Sequence, residues 1–152
     1  VSSPVVDEGL VAPAIAESLA ALHDLLARFW AQVDHVAPAP PSGDLRARFS
    51  TAVIEIGGNI IRHAYPTGAP GTLALRLLAW PDRLEARYTD TGIRYIPQPA
   101  APEAPAAWDD TALDALPEGG FGLALVRAAV DALDYERAAD GVNHWTLTSR
   151  LG

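Results

Sequence analysis

A chain of 152 residues, 49% of them hydrophobic, can bury one substantial core but is too short for two, so residues 1–152 are expected to form a single domain. Its formal net charge of -8 disfavours direct contact with nucleic acid or anionic lipid, and the lack of cysteine excludes a disulfide framework, a thiolate metal site and a cysteine nucleophile. Apolar runs such as Leu73 to Trp80, broken by Arg76, fall short of the roughly eighteen residues a membrane span needs, and no basic-then-apolar leader follows Val1. A cytoplasmic location is the expectation.

After an extended opening, Leu19, Leu22, Leu26, Phe29 and Val33 recur at three- and four-residue spacing and predict a packing helix from Ala14 to Val36. The proline-rich run from Ala37 to Pro41 ends it. Ser42 or Asp44 can cap a second helix, Leu45 to Ala64, with Leu45, Phe49, Val53, Ile56 and Ile60 inward. Pro66, Gly68 and Pro70 lead into a predicted hairpin, Thr72 to Trp80 and Arg83 to Asp90. The proline- and alanine-rich stretch from Ile93 to Glu118 reads as a long loop with one short helix near Trp108 to Leu116. Glycines 119, 120 and 122 introduce a third helix, Leu123 to Leu133, with Leu123, Val126, Val130 and Leu133 on one face. Tyr135 to Ala139 and Val142 to Leu151 close the chain as a hairpin around Asp140-Gly141. Helices and antiparallel hairpins segregate in this order, which predicts an α+β two-layer sandwich rather than a doubly wound parallel sheet.

Glu55, Asn59 and His63 lie at i, i+4 and i+8 on the second helix, so they form one polar row that can address one ligand. A solvated helix face has the same appearance. Asp90 ends a strand before Thr91-Gly92, where glycine permits close approach of backbone to a flat ligand, although Asp-x-Gly is also a common turn. Gly119-Gly120-Phe121-Gly122-Leu123 opens a helix in a way that suits phosphate, or serves as a flexible connector. Gly57 and Gly58 inside the second helix each cost about 1 kcal/mol relative to alanine, which either tight packing beside a ligand or simple tolerance explains.

In sequence order, Glu55-x-x-x-Asn59-x-x-x-His63-Ala64-Tyr65, Asp90-x-Gly92 and Gly120-x-Gly122-Leu123 resemble the N, G1 and G2 boxes of GHKL ATPases, whose fold is the Bergerat sandwich with helices on one face of a mostly antiparallel sheet. The segment EIGGNIIRHAYP resembles the anti-sigma-factor serine/threonine kinases of bacterial sporulation and stress responses more than sensor histidine kinases. GLALVRAAVDALDYER and GVNHWTLTSRL look like that family's third helix and last two strands, so the resemblance covers residues 42–151.

The resemblance implies ATP and Mg²⁺ as cofactors, with Asn59 as the magnesium ligand through its side-chain oxygen. Glu55 would be the general base for a hydroxyl attacking the γ-phosphate. Asp90 would accept a hydrogen bond from the adenine amino group and Gly92 would leave room for the ring. Gly120 and Gly122, at the start of the helix that continues with Leu123, would lend N–H groups to the phosphates, and residues 93–118 would form the ATP lid. His63 would orient phosphate or neighbouring groups, or act as a structural histidine. The implied partners are a STAS-type antagonist, whose serine or threonine is phosphorylated, and a sigma factor; a homodimer is implied by the resemblance alone.

Two places depart from the family pattern. Where a further glycine or proline and an acidic residue are common after the G1 glycine, this chain has Arg94 and Ile96, and Leu116-Pro117-Glu118 stands where a lid cation often precedes the G2 glycines. A cation-poor lid stabilises developing γ-phosphate charge less, so the alternative is a catalytically weak or inactive GHKL-fold module acting by partner binding. A detached histidine-kinase ATPase domain is less consistent, since His23, on a short packing helix, is the sole helical candidate for an acceptor.

Overall fold

A computed structural model describes residues 2–37, 39–66, 71–96 and 122–152. Strand β1 (Val6–Pro13) is followed by a 3₁₀ turn (Ala16–Ser18) and α1 (Leu19–Val36), then α2 (Gly43–Asn59), which runs on into a π-helical turn (Ile60–Ala64). Next come β2 (Thr72–Trp80), β3 (Arg83–Asp90), α3 (Gly122–Ala129), β4 (Ala132–Arg137) and β5 (Asn143–Arg150). The strands form one antiparallel sheet in the order β1-β2-β3-β5-β4. Gly120 and the expected short helix near Trp108 lie outside the described residues, as does most of the expected lid. Among the described residues no helix is long and apolar enough to cross a membrane.

Every second residue of the central strands points to one side: Leu73, Leu75 and Leu77, then Leu84, Ala86 and Tyr88, then Trp145 and Leu147. On that side they form one core with Leu22, Leu25, Leu26, Phe29 and Val33 of α1, with Phe49, Ala52, Val53 and Ile56 of α2, and with Val126 and Ala129 of α3. This is the two-layer α+β sandwich that the segregation of helices and hairpins predicts. Ser42 is the cap of α2, its hydroxyl accepting from the Leu45 N–H at 3.1 Å. Trp30 fastens α1 to α2, donating to Ser50 Oγ at 2.9 Å and meeting Phe49 edge-on at 5.9 Å.

Several boundaries differ from expectation: the first helix starts at Leu19 rather than Ala14, after the 3₁₀ turn, and the strand expected at Tyr135 to Ala139 runs from Ala132 to Arg137. The extended opening is an edge strand paired with β2 along all of Val6–Pro13; only Val6 and Ala12 are buried, so its alternation is too weak to announce it. The third helix ends at Ala129, not Leu133, because the Asp131 N–H donates to the Thr148 carbonyl at 2.9 Å and its carboxylate accepts from the Arg150 N–H at 2.6 Å. Strand pairing from Ala132 onward therefore overrides the helical spacing. The second helix keeps α geometry only to Asn59, then widens through Ile60–Ala64, which brings the Ala64 carbonyl to the Ile93 N–H at 2.7 Å.

Gly57 faces the core rather than a ligand. A Cβ there would lie 2.6 Å from Leu22 Cδ1 and 2.7 Å from the Tyr88 hydroxyl oxygen, which donates to the Val53 carbonyl at 2.7 Å. Burial drives the Tyr88 pKa far above the ordinary tyrosine value, so it stays a neutral donor. Gly57→Ala gains about 1 kcal/mol of helix propensity but overpacks a fixed hydroxyl at a cost of about 1–3 kcal/mol. Net destabilisation of about 1 kcal/mol is expected in urea denaturation, and Gly57→Ala/Tyr88→Phe should recover part of it.

Candidate functional site

Asp90 is the last residue of β3 and shares the inward parity of Ala86 and Tyr88, so the pleat carries a carboxylate to the rim of the core. It is 4% exposed. A carboxylate so buried requires donors, and Oδ1 receives two: Asn143 Nδ2 at 2.8 Å and the Gly92 N–H at 2.9 Å. Oδ2 makes no hydrogen bond among the described residues and keeps its acceptor capacity.

Gly92 is where backbones meet. A Cβ on it would fall 2.2 Å from the Ala64 carbonyl oxygen and 2.6 Å from Ala64 Cβ, so only glycine lets the end of α2 dock against the strand exit. Tyr65 fastens the same junction: its hydroxyl donates to the Thr72 carbonyl at 2.6 Å and accepts from the Thr91 N–H at 3.0 Å.

Further along α2, Glu55 and Asn59 are half-buried and one turn apart, whereas His63 is exposed on the π-helical turn. That turn moves His63 off the straight i, i+4, i+8 row, and His63 bonds to neither Glu55 nor Asn59 among the described residues. Asn59 Oδ1 instead accepts from Arg62 Nη2 at 3.2 Å, and the guanidinium lies over Gly58, where a Cβ would be 2.9 Å from Nη1. Helix α3 packs against α2, opening at Gly122 with Leu123 half-buried against the core. The structure thus joins Asp90, Gly92 and the end of α2 directly, and sets Glu55 and Asn59 on the helix that α3 flanks. Gly120 lies outside the described residues.

Sequence reasoning missed the polar group behind Asp90. Asn143, 1% exposed at the start of β5, is held by Tyr135 and Arg137 of β4. One signal was available: in Asn143-His144-Trp145-Thr146-Leu147 the asparagine shares the parity of the two apolar residues, so the alternation places an amide in the core.

The arrangement offers an oxygen of a largely buried carboxylate to an N–H donor at one end and an amide oxygen beside a carboxylate along α2. A family model described as histidine kinase-like ATPase domain matches residues 14–148. The serine/threonine-protein kinase BtrW of Bordetella bronchiseptica is 34% identical over 125 residues, which is 81% of this chain and 82% of that protein. Among solved structures, a Mycobacterium tuberculosis chain holding RsbU and RsbW domains matches over 97% of this chain with TM-score 0.61 at 19% identity. This chain spans 32% of that one. The histidine kinase domain of the blue-light activated kinase from Erythrobacter litoralis matches over 86% of this chain and 61% of its own, with TM-score 0.53 at 20% identity. Family model and relative together show that the chain belongs to the histidine kinase-like ATPase domain family, of GHKL type.

Proposed function

We propose that this chain is an anti-sigma-factor type protein kinase, which binds ATP between α2, the end of β3 and α3 and passes the γ-phosphate to a serine or threonine of a STAS-type antagonist. The observation that carries the reading is Asp90, a buried carboxylate with Oδ1 tied by two donors and Oδ2 unspent among the described residues, as recognition of an adenine amino group requires. The 34% identity to a named serine/threonine-protein kinase supports it.

In this reading the Glu55 carboxylate takes the proton of the attacking hydroxyl while the new O–P bond forms and the bond from the γ-phosphorus to the ADP oxygen breaks. Asn59 would supply a neutral oxygen to magnesium, and Gly120 and Gly122 would supply N–H groups to the phosphates. No group of three His, Cys, Asp or Glu suited to a metal occurs among the described residues, which fits an ion that arrives with phosphates and keeps its waters. Bound there, magnesium would neutralise phosphate charge. Arg62 donates to the same Asn59 oxygen, so a bound metal would compete with the guanidinium for it, and Arg62, once released, would be a cation on this wall that offsets the cation-poor lid.

Two measurements test the reading. Millimolar Mg·ATP should raise the unfolding midpoint, by about 2.7 kcal/mol of added stability at a hundred times Kd. Labelled ATP should mark a STAS-type antagonist encoded beside this chain. Absence of any thermal shift overturns ATP binding. A shift without transfer selects the second reading, a partner-binding module, which Arg94 and the exposed Ile96 after Gly92 favour.

A further inference from the structure

Asn143 makes more contacts than a core asparagine needs for its own satisfaction. Its two Nδ2 hydrogens face three acceptors: Asp90 Oδ1 at 2.8 Å, the Gly92 carbonyl at 3.1 Å and the Ile93 carbonyl at 3.2 Å. Its Oδ1 accepts from the Tyr135 hydroxyl at 2.6 Å and from Arg137 Nη1 at 3.0 Å, and Arg137 Nη1 also reaches the Gly92 carbonyl at 2.9 Å. Turning the amide over would set its oxygen against three acceptors and its NH₂ against a guanidinium, so this network admits one orientation. Leucine would strip the Asp90 carboxylate of one of its two donors, take the amide donor from the Ile93 carbonyl and leave the Gly92 carbonyl to Arg137 alone, and aspartate would bring a second anion to Asp90.

We propose that Asn143, locked by Tyr135 and Arg137, is a positioning residue that sets base selectivity: it aims the free oxygen of Asp90 and fixes the Gly92–Ile93 backbone beside it. The inference rests on the reading of Asp90 as the acceptor for a purine amino group. Held by Asn143 and the Gly92 N–H, Oδ1 cannot rotate outward, and the carboxylate presents Oδ2 as a pure acceptor. An amino group at C6 of a purine satisfies that acceptor, whereas a carbonyl oxygen at C6 sets two acceptors face to face. Discrimination between the bases is strong only while the carboxylate cannot turn away, because a buried polar group left unpaired carries the penalty. The Tyr135 hydroxyl also accepts from the Tyr95 N–H at 3.0 Å, so one hydroxyl ties the root of the 93–118 segment to the same amide.

The test is equilibrium binding of Mg·ATP and Mg·GTP to the full chain, wild type against Asn143→Ala and Tyr135→Phe. Wild type should prefer ATP. Asn143→Ala should weaken ATP by at least about tenfold and GTP far less, collapsing the preference, and Tyr135→Phe should do the same to a lesser degree, about fivefold, the scale of one hydrogen bond. If Asn143→Ala does not fold, Tyr135→Phe, which removes one half-buried hydroxyl, decides. Variants that keep the wild-type ATP affinity and preference overturn the inference, and so do variants that weaken both nucleotides equally, the mark of a merely structural role. Wild type that binds ATP without preferring it overturns it too. Wild type that binds neither nucleotide overturns the functional reading itself.

Discussion

Glu55→Gln is expected to slow phosphoryl transfer by about 10²–10⁴-fold while ATP affinity stays within a few-fold of wild type, the range a positioned general base contributes. The side chain is half-buried on α2, one turn before Asn59, and makes no hydrogen bond among the described residues that the substitution would break. Glutamine keeps its size and removes only its ability to take a proton. The outcome is read in single-turnover transfer to the antagonist beside equilibrium ATP binding: a drop in rate at constant affinity is the signature of an interaction made in the transition state. Equal losses of rate and affinity would instead mark Glu55 as a ligand-binding or structural group, and an unchanged rate would remove it from the chemistry.

Gly92→Ala should be the most disruptive glycine-to-alanine change among the described residues. The added Cβ meets backbone rather than a flexible side-chain end, at 2.2 Å from the Ala64 carbonyl oxygen, so strand exit and helix end must part. Parting them sacrifices the bond from the Ile93 N–H to Ala64 at 2.7 Å and disturbs the Gly92 N–H on Asp90 and the two donors on the Gly92 carbonyl. Overpacking of about 1–3 kcal/mol together with one or two lost hydrogen bonds predicts destabilisation of about 3 kcal/mol or more, a large part of the 5–15 kcal/mol typical of a whole domain. A lower urea midpoint at unchanged slope, with loss of ATP binding, is the expected result. Wild-type stability and affinity would show that the junction gives way at no cost.

The placement of the candidate residues on their elements was legible where it depends on short spacing. Four residues separate Glu55 from Asn59 whatever surrounds the helix, and Asp90 at the end of an alternating strand has one parity. His63 was the exception, since its place in the row assumed an unbroken α-helix. The π-helical turn at Ile60–Ala64 follows from docking Ala64 on Ile93, a contact between residues twenty-nine apart in sequence that no local periodicity encodes. The third helix was cut short for the same kind of reason, by β5 capturing Asp131.

Local pattern by itself determined the first two helices, the hairpins and their segregation into an α+β sandwich, while the three ordered boxes were legible only through resemblance to GHKL ATPases. Only the tertiary structure decided what surrounds Asp90. Asn143 lies 53 residues beyond it in sequence and 2.8 Å away in space. Tyr135 and Arg137, which look like ordinary strand residues, become the lock on that asparagine because β4 pairs with β5. Gly92, which the sequence suggests as space for a flat ligand, packs against Ala64. Side-chain spacing along one element is set by backbone geometry alone, whereas the partner of a buried polar group is set by which strands pair and in what register.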